Sequence, residues 1–334
     1  MSLFAGMMTR ENLEENQVWL YAGALATGAG FGLWQPVWSA RLELLISPVL
    51  AIMLYGMFVQ IPFLQLRQAF VNRRFAGALL TVNFVIVPAL VWGLSQFLPE
   101  YPPLLLGVYL VLLTPCIDYV IVFTHLGQGN ARLVLAATPM LLLIQMLLLP
   151  AYLWLFMGGQ AARVMSAEPF LQAFLLLIAL PLGLALASEI WARRKKSGQA
   201  WLVATGWLPV PFMALTLFLV VASQIDRIGE YLPVVGQAVP LYIAFMAIMP
   251  LLARWTAQVY RLDTRAGRAL IFSSVTRNSL VVLPLALALP DAWVVTPAVI
   301  VTQTLVELVG ELVFIRLVPT VILSGTRRDD APCR

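Results

Sequence analysis

Charge is scarce in this sequence. Asp, Glu, Lys and Arg make up 11% of its 334 residues, against 61% hydrophobic residues. A soluble globular domain is roughly a quarter charged and about half apolar, so the composition excludes an ordinary water-soluble enzyme. It also excludes intrinsic disorder, which needs low hydrophobicity and high net charge. Histidine occurs once, at His125, and cysteine twice, at Cys116 in an apolar run and Cys333 in a polar tail. That supply supports neither a disulfide framework nor a zinc signature. A phosphate-binding loop of the G-x-x-x-x-G-K type is also lacking, and no cofactor is implied. Residues 1–16 carry Arg10, Glu11, Glu14 and Glu15 without a small-residue cleavage site, so the first apolar run is expected to be retained.

What the sequence has in abundance is long apolar runs, with a mean hydropathy of +0.89. About 20 apolar residues cross a hydrocarbon core as a helix. By that rule ten spans are expected, at roughly 17–36, 44–65, 75–98, 104–125, 131–157, 168–190, 202–224, 231–253, 268–290 and 294–319. The runs are continuous rather than alternating, which argues against a β-barrel. The expected fold is all-α, a polytopic membrane protein of ten transmembrane helices. Its surroundings are lipid, and its ten Trp and nine Tyr suit interfacial belts.

The net charge of +5 takes its meaning from placement. With the N-terminus inside, Arg41, Arg163 and Arg227 fall on outer loops and Arg277 within the ninth span. Every other cation, including the run Arg193-Arg194-Lys195-Lys196, falls on the cytoplasmic side. This bias is the positive-inside rule. It places both termini in the cytoplasm of a bacterial-type inner membrane and gives no reason to expect a nucleic-acid partner.

The spans repeat. Thr138-Pro139 with Gln145 in span five and Thr296-Pro297 with Gln303 in span ten both read T-P-x5-Q. One span earlier in each half lies a polar interruption: Thr114-Pro115-Cys116-Ile117-Asp118 in span four and Thr276-Arg277-Asn278-Ser279 in span nine. Residues 1–160 and 161–334 are thus expected to be two five-helix repeats. Five spans is an odd number, so the second repeat enters the membrane inverted. Inverted repeats with paired broken helices mark secondary transporters. Backbone groups freed at a break cannot face lipid and must line an enclosed cavity near the midplane.

Within that cavity the polar residues carry the chemistry. Thr114, Pro115 and Thr276 mark the breaks, Pro115 because it lacks an N–H and disfavours helix before it. Asp118 and Arg277 each cost about 2.5–3.5 kcal/mol at a helix centre on insertion scales. Arg277 is read as a fixed positive charge and Asp118 as a proton-exchanging or substrate-orienting group; the alternative is a pair that only ties two helices together. Cys116 is a candidate soft ligand for a metalloid, or else a small buried apolar residue. Asn278 and Ser279 offer oxygens to a hard cation, hydrogen bonds to an oxyanion, or helix-to-helix bonds. Glu307 and Glu311, one turn apart in span ten, can form an inward-facing proton relay; Glu311 can equally approach the cytoplasmic end and snorkel, so Glu307 is the favoured coupling residue. Asn83, Gln60, Gln145 and Gln303 read as interhelical hydrogen-bonding residues, and His125 as interfacial.

Cys116-Ile117 with Val120-Ile121-Val122-Phe123-Thr124-His125-Leu126-Gly127-Gln128-Gly129-Asn130 resembles the cysteine-containing broken helix of the arsenite efflux permeases, a branch of the bile acid:sodium symporter superfamily. Tyr55-Gly56-Met57-Phe58-Val59-Gln60-Ile61-Pro62-Phe63 is similar to that family's second span, Asn278 to its ninth-span break and Val306-Glu307 to its tenth span. The resemblance implies panel and core domains, spans four and nine crossing at the substrate site, and a role for Cys116 toward arsenite or antimonite. The chain departs from the family pattern too. Pro115 stands where those permeases have an Arg, and the ninth-span break has Arg277 and no carboxylate. Against the sodium-binding members, Val120, Ile121 and the missing Glu imply that the sodium sites are lost, with Arg277 in the place of a bound sodium.

The leading expectation is a secondary transporter exporting arsenite, antimonite or a related arsenical, coupled to protons. The alternative is a sodium- or proton-coupled organic-anion carrier with Arg277 on the substrate's carboxylate or sulfonate. An intramembrane enzyme or receptor is remote, because no Ser/His, Asp/Asp or His–metal constellation lies within the spans.

Overall fold

A computed structural model describes residues 10–60, 72–117, 119–159, 174–287, 289 and 291–324. Asp118, Arg163, Cys333, the end of the second expected span and the start of the sixth lie outside them. Among the described residues all regular structure is helical. Five helices among these residues are long and apolar enough to cross a membrane: Arg41–Gln60, Arg73–Ser95, Ala131–Met157, Lys196–Ser223 and Tyr231–Val259. Large apolar side chains point outward from them; Leu44 is 82% exposed and Leu147 76% exposed. Such a surface is a liability in water and the ordinary state against lipid tails.

The chain forms two compact units, each taking one segment from either half of the sequence. The first unit comprises 1–61 and 171–232. It contains α1 (Arg10–Trp34), α2 (Pro36–Gln60), α8 (Leu180–Arg194), α9 (Lys196–Thr205) and most of α10 (Pro209–Val235). In this unit Gly28 and Gly32, one turn apart on α1, let α10 approach to backbone contact. A Cβ at Gly28 would lie 2.8 Å from the Phe218 carbonyl oxygen, and one at Gly32 2.5 Å from that of Ala222. Close contact of this kind substitutes for the hydrophobic drive that lipid removes. Tyr55 Oη lies 2.8 Å from Ser188 Oγ and accepts from Trp201 Nε1 at 2.7 Å, joining α2, α8 and α9. The expected seventh and eighth spans are redrawn. The polar stretch around Asp226 and Arg227 lies inside α10, and the chain turns only at Gly236.

The second unit comprises 62–170 and 233–334. It contains α3 (Arg73–Thr81), α4 (Val87–Ser95), α5 (Pro102–Leu112), α6 (Val120–Leu126), α7 (Ala131–Met157), α11 (Ala238–Val259), α12 (Thr264–Val275), α13 (Ser279–Leu287) and α14 (Val295–Leu317). α3 and α4 are one rod joined by a π-helical turn over Val82–Ile86. Pro88 has no N–H for the Phe84 carbonyl four residues back, and that oxygen accepts from Tyr152 Oη at 2.6 Å. Asn72, Asn130 and Asp263 cap α3, α7 and α12, each accepting an amide N–H of the first turn. The expected fourth and ninth spans are each two helices, α5/α6 and α12/α13, separated at Thr114–Cys116 and Thr276–Asn278. Glycine sets how closely neighbours pack on them: a Cβ at Gly107 on α5 would sit 2.8 Å from Val299 on α14, and one at Gly127 2.1 Å from the Phe272 ring on α12.

Candidate functional site: the paired helix breaks

The two breaks meet. Pro115 and Arg277 form an isolated antiparallel bridge. Cys116 N donates to the Thr276 carbonyl at 3.2 Å, and Asn278 N donates to the Thr114 carbonyl at 2.9 Å. The exchange is reciprocal: in each break the residue before the centre gives its carbonyl and the residue after it gives its amide. Both amides are thereby withdrawn from the helices that precede them. Cys116 N leaves the Leu112 carbonyl without its i+4 donor, Asn278 N leaves that of Ser274, and Arg277 N, which donates instead to Glu307 Oε2 at 2.8 Å, leaves that of Ser273.

The Arg277 side chain replaces all three. Its Nη2 donates to the Ser273 and Ser274 carbonyls at 2.8 and 2.6 Å, and its Nη1 to the Leu112 carbonyl at 3.3 Å. One buried guanidinium thus caps the C-terminal ends of α5 and α12 together, where helix dipoles favour positive charge. Nη2 also lies 2.9 Å from Asn83 Oδ1, so its two hydrogens are shared among three acceptors, and the cation stands 5.6 Å from the Phe245 ring centroid. Asn83 lies in the π-helical turn and is held by its own bonds to the Leu79 carbonyl and Ser273 Oγ.

Glu307 locks the underside of the crossing from α14. It is fully buried, and each neighbour of its carboxylate oxygens is a donor. Oε2 accepts from Arg277 N and from Gln303 Nε2. Oε1 lies 2.7 Å from Tyr119 Oη, whose single hydrogen is shared with the Arg277 carbonyl oxygen at 2.9 Å. Glu311, one turn on, is equally buried and does not snorkel, contrary to the alternative weighed from sequence. Its Oε1 lies 2.7 Å from Thr276 Oγ.

The sequence-derived site residues Thr114, Pro115, Cys116, Thr276, Arg277, Asn278, Ser279 and Glu307 lie together, all buried. Cys116 has a buried thiol. Asp118 lies outside the described residues. Around the breaks several buried polar atoms have no hydrogen-bond partner among the described residues: Asn278 Nδ2, Ser279 Oγ and Arg277 Nε as donors, and Gln303 Oε1 and Glu311 Oε2 on α14. Buried polar groups are almost always paired, so such a cluster calls for an explanation. Three residues that the sequence reading passed over belong here. Asn83 and Gln303 read as generic interhelical residues, and Tyr119 was not singled out; an intramembrane polar residue one helix away was the only available signal. His125 is exposed, as an interfacial residue should be.

The model of the Sodium Bile acid symporter family matches residues 47–231, a stretch that holds Cys116 and ends before Arg277. Over 222 residues, 62% of this chain, the sequence is 24% identical to the arsenical-resistance protein Acr3 of Corynebacterium glutamicum. The chain covers 60% of that relative's length. With more than half of its residues matched by the family model, and with apolar helices surrounding a pair of broken ones, this protein belongs to the Sodium Bile acid symporter family, a family of secondary membrane transporters.

Proposed function

We propose that this protein exports arsenite, antimonite or a related trivalent metalloid acid across a bacterial inner membrane by alternating access, coupled to protons. The carrying observation is a fully buried thiol, Cys116, in the first of two bridged helix breaks, with unpartnered polar atoms on the residues around it. A thiol is the protein ligand best suited to a soft metalloid. Attack of the Cys116 sulfur on a metalloid hydroxide forms an S–metalloid bond; the displaced hydroxide takes the thiol proton and leaves as water. The remaining hydroxyls both donate and accept, which suits Asn278 Nδ2 and Ser279 Oγ on one side and Gln303 Oε1 on the other. Asp118 joins this set on sequence grounds alone. The printed name of the Corynebacterium relative agrees with an arsenical substrate.

The organic-anion reading asks Arg277 to hold a carboxylate or sulfonate. Its Nη2 is fully taken by the Ser273 and Ser274 carbonyls and Asn83, and one Nη1 hydrogen by the Leu112 carbonyl, leaving only Nε and the second Nη1 hydrogen for a ligand. That commitment favours the metalloid. It also favours sodium-independent transport, because the guanidinium supplies the positive charge that three carbonyl oxygens at two helix ends and Asn83 Oδ1 would otherwise invite from solution. Two inverted five-helix repeats with both termini in the cytoplasm remain part of this reading. They are supported by the reciprocal bridge and by the partner of each break: Glu307 serves the Arg277 N–H, while Leu149 stands at the matching place in the first repeat, where Pro115 has no N–H to serve.

The test is flux in everted vesicles with arsenite, antimonite and a bile-acid-like anion, at varied pH and sodium. Metalloid flux that follows the pH gradient, ignores sodium and is abolished by Cys116→Ser supports the proposal. Sodium-stimulated flux, or organic-anion flux indifferent to Cys116→Ser, overturns it.

A further inference from the structure

Two carboxyl groups lie one helical turn apart on α14, fully buried, and their surroundings are opposite. Glu307 Oε2 accepts from two N–H groups, the Arg277 amide and Gln303 Nε2, while its Oε1 meets the Tyr119 hydroxyl, whose hydrogen the Arg277 carbonyl shares; neither oxygen of Glu311 meets an N–H among the described residues. Among the described residues Glu311 has one hydrogen-bond contact, Thr276 Oγ, and its Oε2 has no partner.

The Thr276 contact decides which group supplies the hydrogen. Thr276 Oγ lies 2.7 Å from Glu311 Oε1 and 2.7 Å from the Phe272 carbonyl oxygen. A hydroxyl has a single hydrogen, and a carbonyl has none to offer. Helical threonines here donate to the carbonyl four residues back, as Thr114, Thr138, Thr256 and Thr302 do at 2.8 to 3.0 Å. When Thr276 does the same, its oxygen turns lone pairs toward Glu311, and the 2.7 Å contact is a hydrogen bond only if the carboxyl group brings its own proton. An ionised Glu311 would instead leave a charge-bearing oxygen bare in a buried site, which is costly.

We propose that Glu311 is a proton-binding site of this protein, protonated in the observed conformation and donating to Thr276 Oγ. Release of that proton to water leaves a carboxylate that can only accept. Thr276 must then swing its hydrogen from the Phe272 carbonyl to Glu311, and that carbonyl keeps only the Thr276 N–H at 3.0 Å. The end of α12 is loosened immediately before Arg277 and Asn278. Glu311 therefore reports its protonation to the break through one hydroxyl rotation, a two-state element of the kind that coupling needs.

The ionisable groups around it are these. Arg277 lies at the break, Glu307 and Arg316 on the same helix, Tyr119 against Glu307, and Cys116 across the bridge. α12 also carries Arg265 and Arg268, the latter bonded to carbonyls of Leu323, Pro319 and Gln128. α11 contributes Tyr242 and Arg254, α5 contributes Tyr109, and α6 contributes His125. α13 and the terminal π-helical turn Val318–Ile322 have no ionisable side chain.

The role in coupling rests on the transport reading, but the site can be tested without any substrate. The full-length protein in lipid vesicles is followed by infrared difference spectroscopy across a pH titration, in water and deuterium oxide. The carbonyl-stretch band of a protonated carboxylic acid should be present in the wild type, lost in Glu311→Gln and retained in Glu307→Gln. In Thr276→Val, which keeps the acid but removes its acceptor, the band should move to higher wavenumber. Glu311→Gln retains the shape of the protonated side chain and its donor toward Thr276; Thr276→Val gives an independent reading should that variant fail to fold. A band that survives Glu311→Gln, or that ignores Thr276→Val, overturns the proposal. Absence of metalloid flux with the band intact refutes the transport reading alone.

Discussion

Replacing Arg277 by Met tests whether one side chain holds both broken helices together. Methionine keeps an unbranched stem as far as the Nε position and lacks the guanidinium head, so the change removes the charge, the donors and the contact on Phe245 while leaving the stem packed. Four acceptors are left short: the carbonyls of Leu112, Ser273 and Ser274, and Asn83 Oδ1. None of the three carbonyls can recover a helical donor, because the amides due to them are spent on the bridge and on Glu307. A buried polar group left unsatisfied costs about 1–3 kcal/mol, so the gross loss is roughly 4–12 kcal/mol. Against it stands the guanidinium's desolvation, several kcal/mol that the variant no longer bears. A net loss of about 3–5 kcal/mol is expected, in line with other broken buried charge networks. The assay is reversible unfolding in mixed micelles, with Asn83→Leu and the double variant completing a cycle. Because Arg277 and Asn83 share a 2.9 Å bond, the two losses should overlap by about 1 kcal/mol or more. A net loss below about 1 kcal/mol in Arg277→Met, or strict additivity with Asn83→Leu, would refute the capping argument.

Two further outcomes follow from the same packing. Glu307→Leu should destabilise the protein by at least about 1 kcal/mol more than Glu307→Gln, because leucine orphans the Arg277 N–H and the Gln303 amide while glutamine retains an acceptor for one of them; equal unfolding midpoints would contradict this. Gly107→Ala should cost about 1–3 kcal/mol, since the new Cβ would meet the stiff, branched Val299 at 2.8 Å and the Thr296 carbonyl oxygen at 3.0 Å; an unchanged midpoint would show that α14 shifts freely.

Much of the architecture was legible because a bilayer admits few solutions. Long apolar runs had to be helices, and Thr114-Pro115 and Thr276-Arg277-Asn278 had to be interruptions, since Pro115 gives no N–H and the polar residues cannot face lipid. Element ends were less legible. The stretch around Asp226 and Arg227 reads as a loop from its charge, but helix α10 continues through it, because charged side chains do not prevent helix formation. The relation of Glu311 to the surface was illegible as well: position along a helix gives depth, not whether a neighbouring element covers the side chain.

The sequence by itself determined the solvent of this protein, its helical class, the positions of its breaks and the rarity of Arg277, Glu307 and Cys116, because each follows from what hydrocarbon forbids. Tertiary structure alone decided the partners. That Cys116 and Asn278 exchange backbone bonds across two breaks, that Arg277 caps helices from both halves of the chain, and that Glu307 is surrounded by donors while Glu311 must supply its own hydrogen depend on residues far apart in sequence. Hydrogen bonds are short and directional, so their pattern is fixed by where helices cross, and no local sequence rule encodes that.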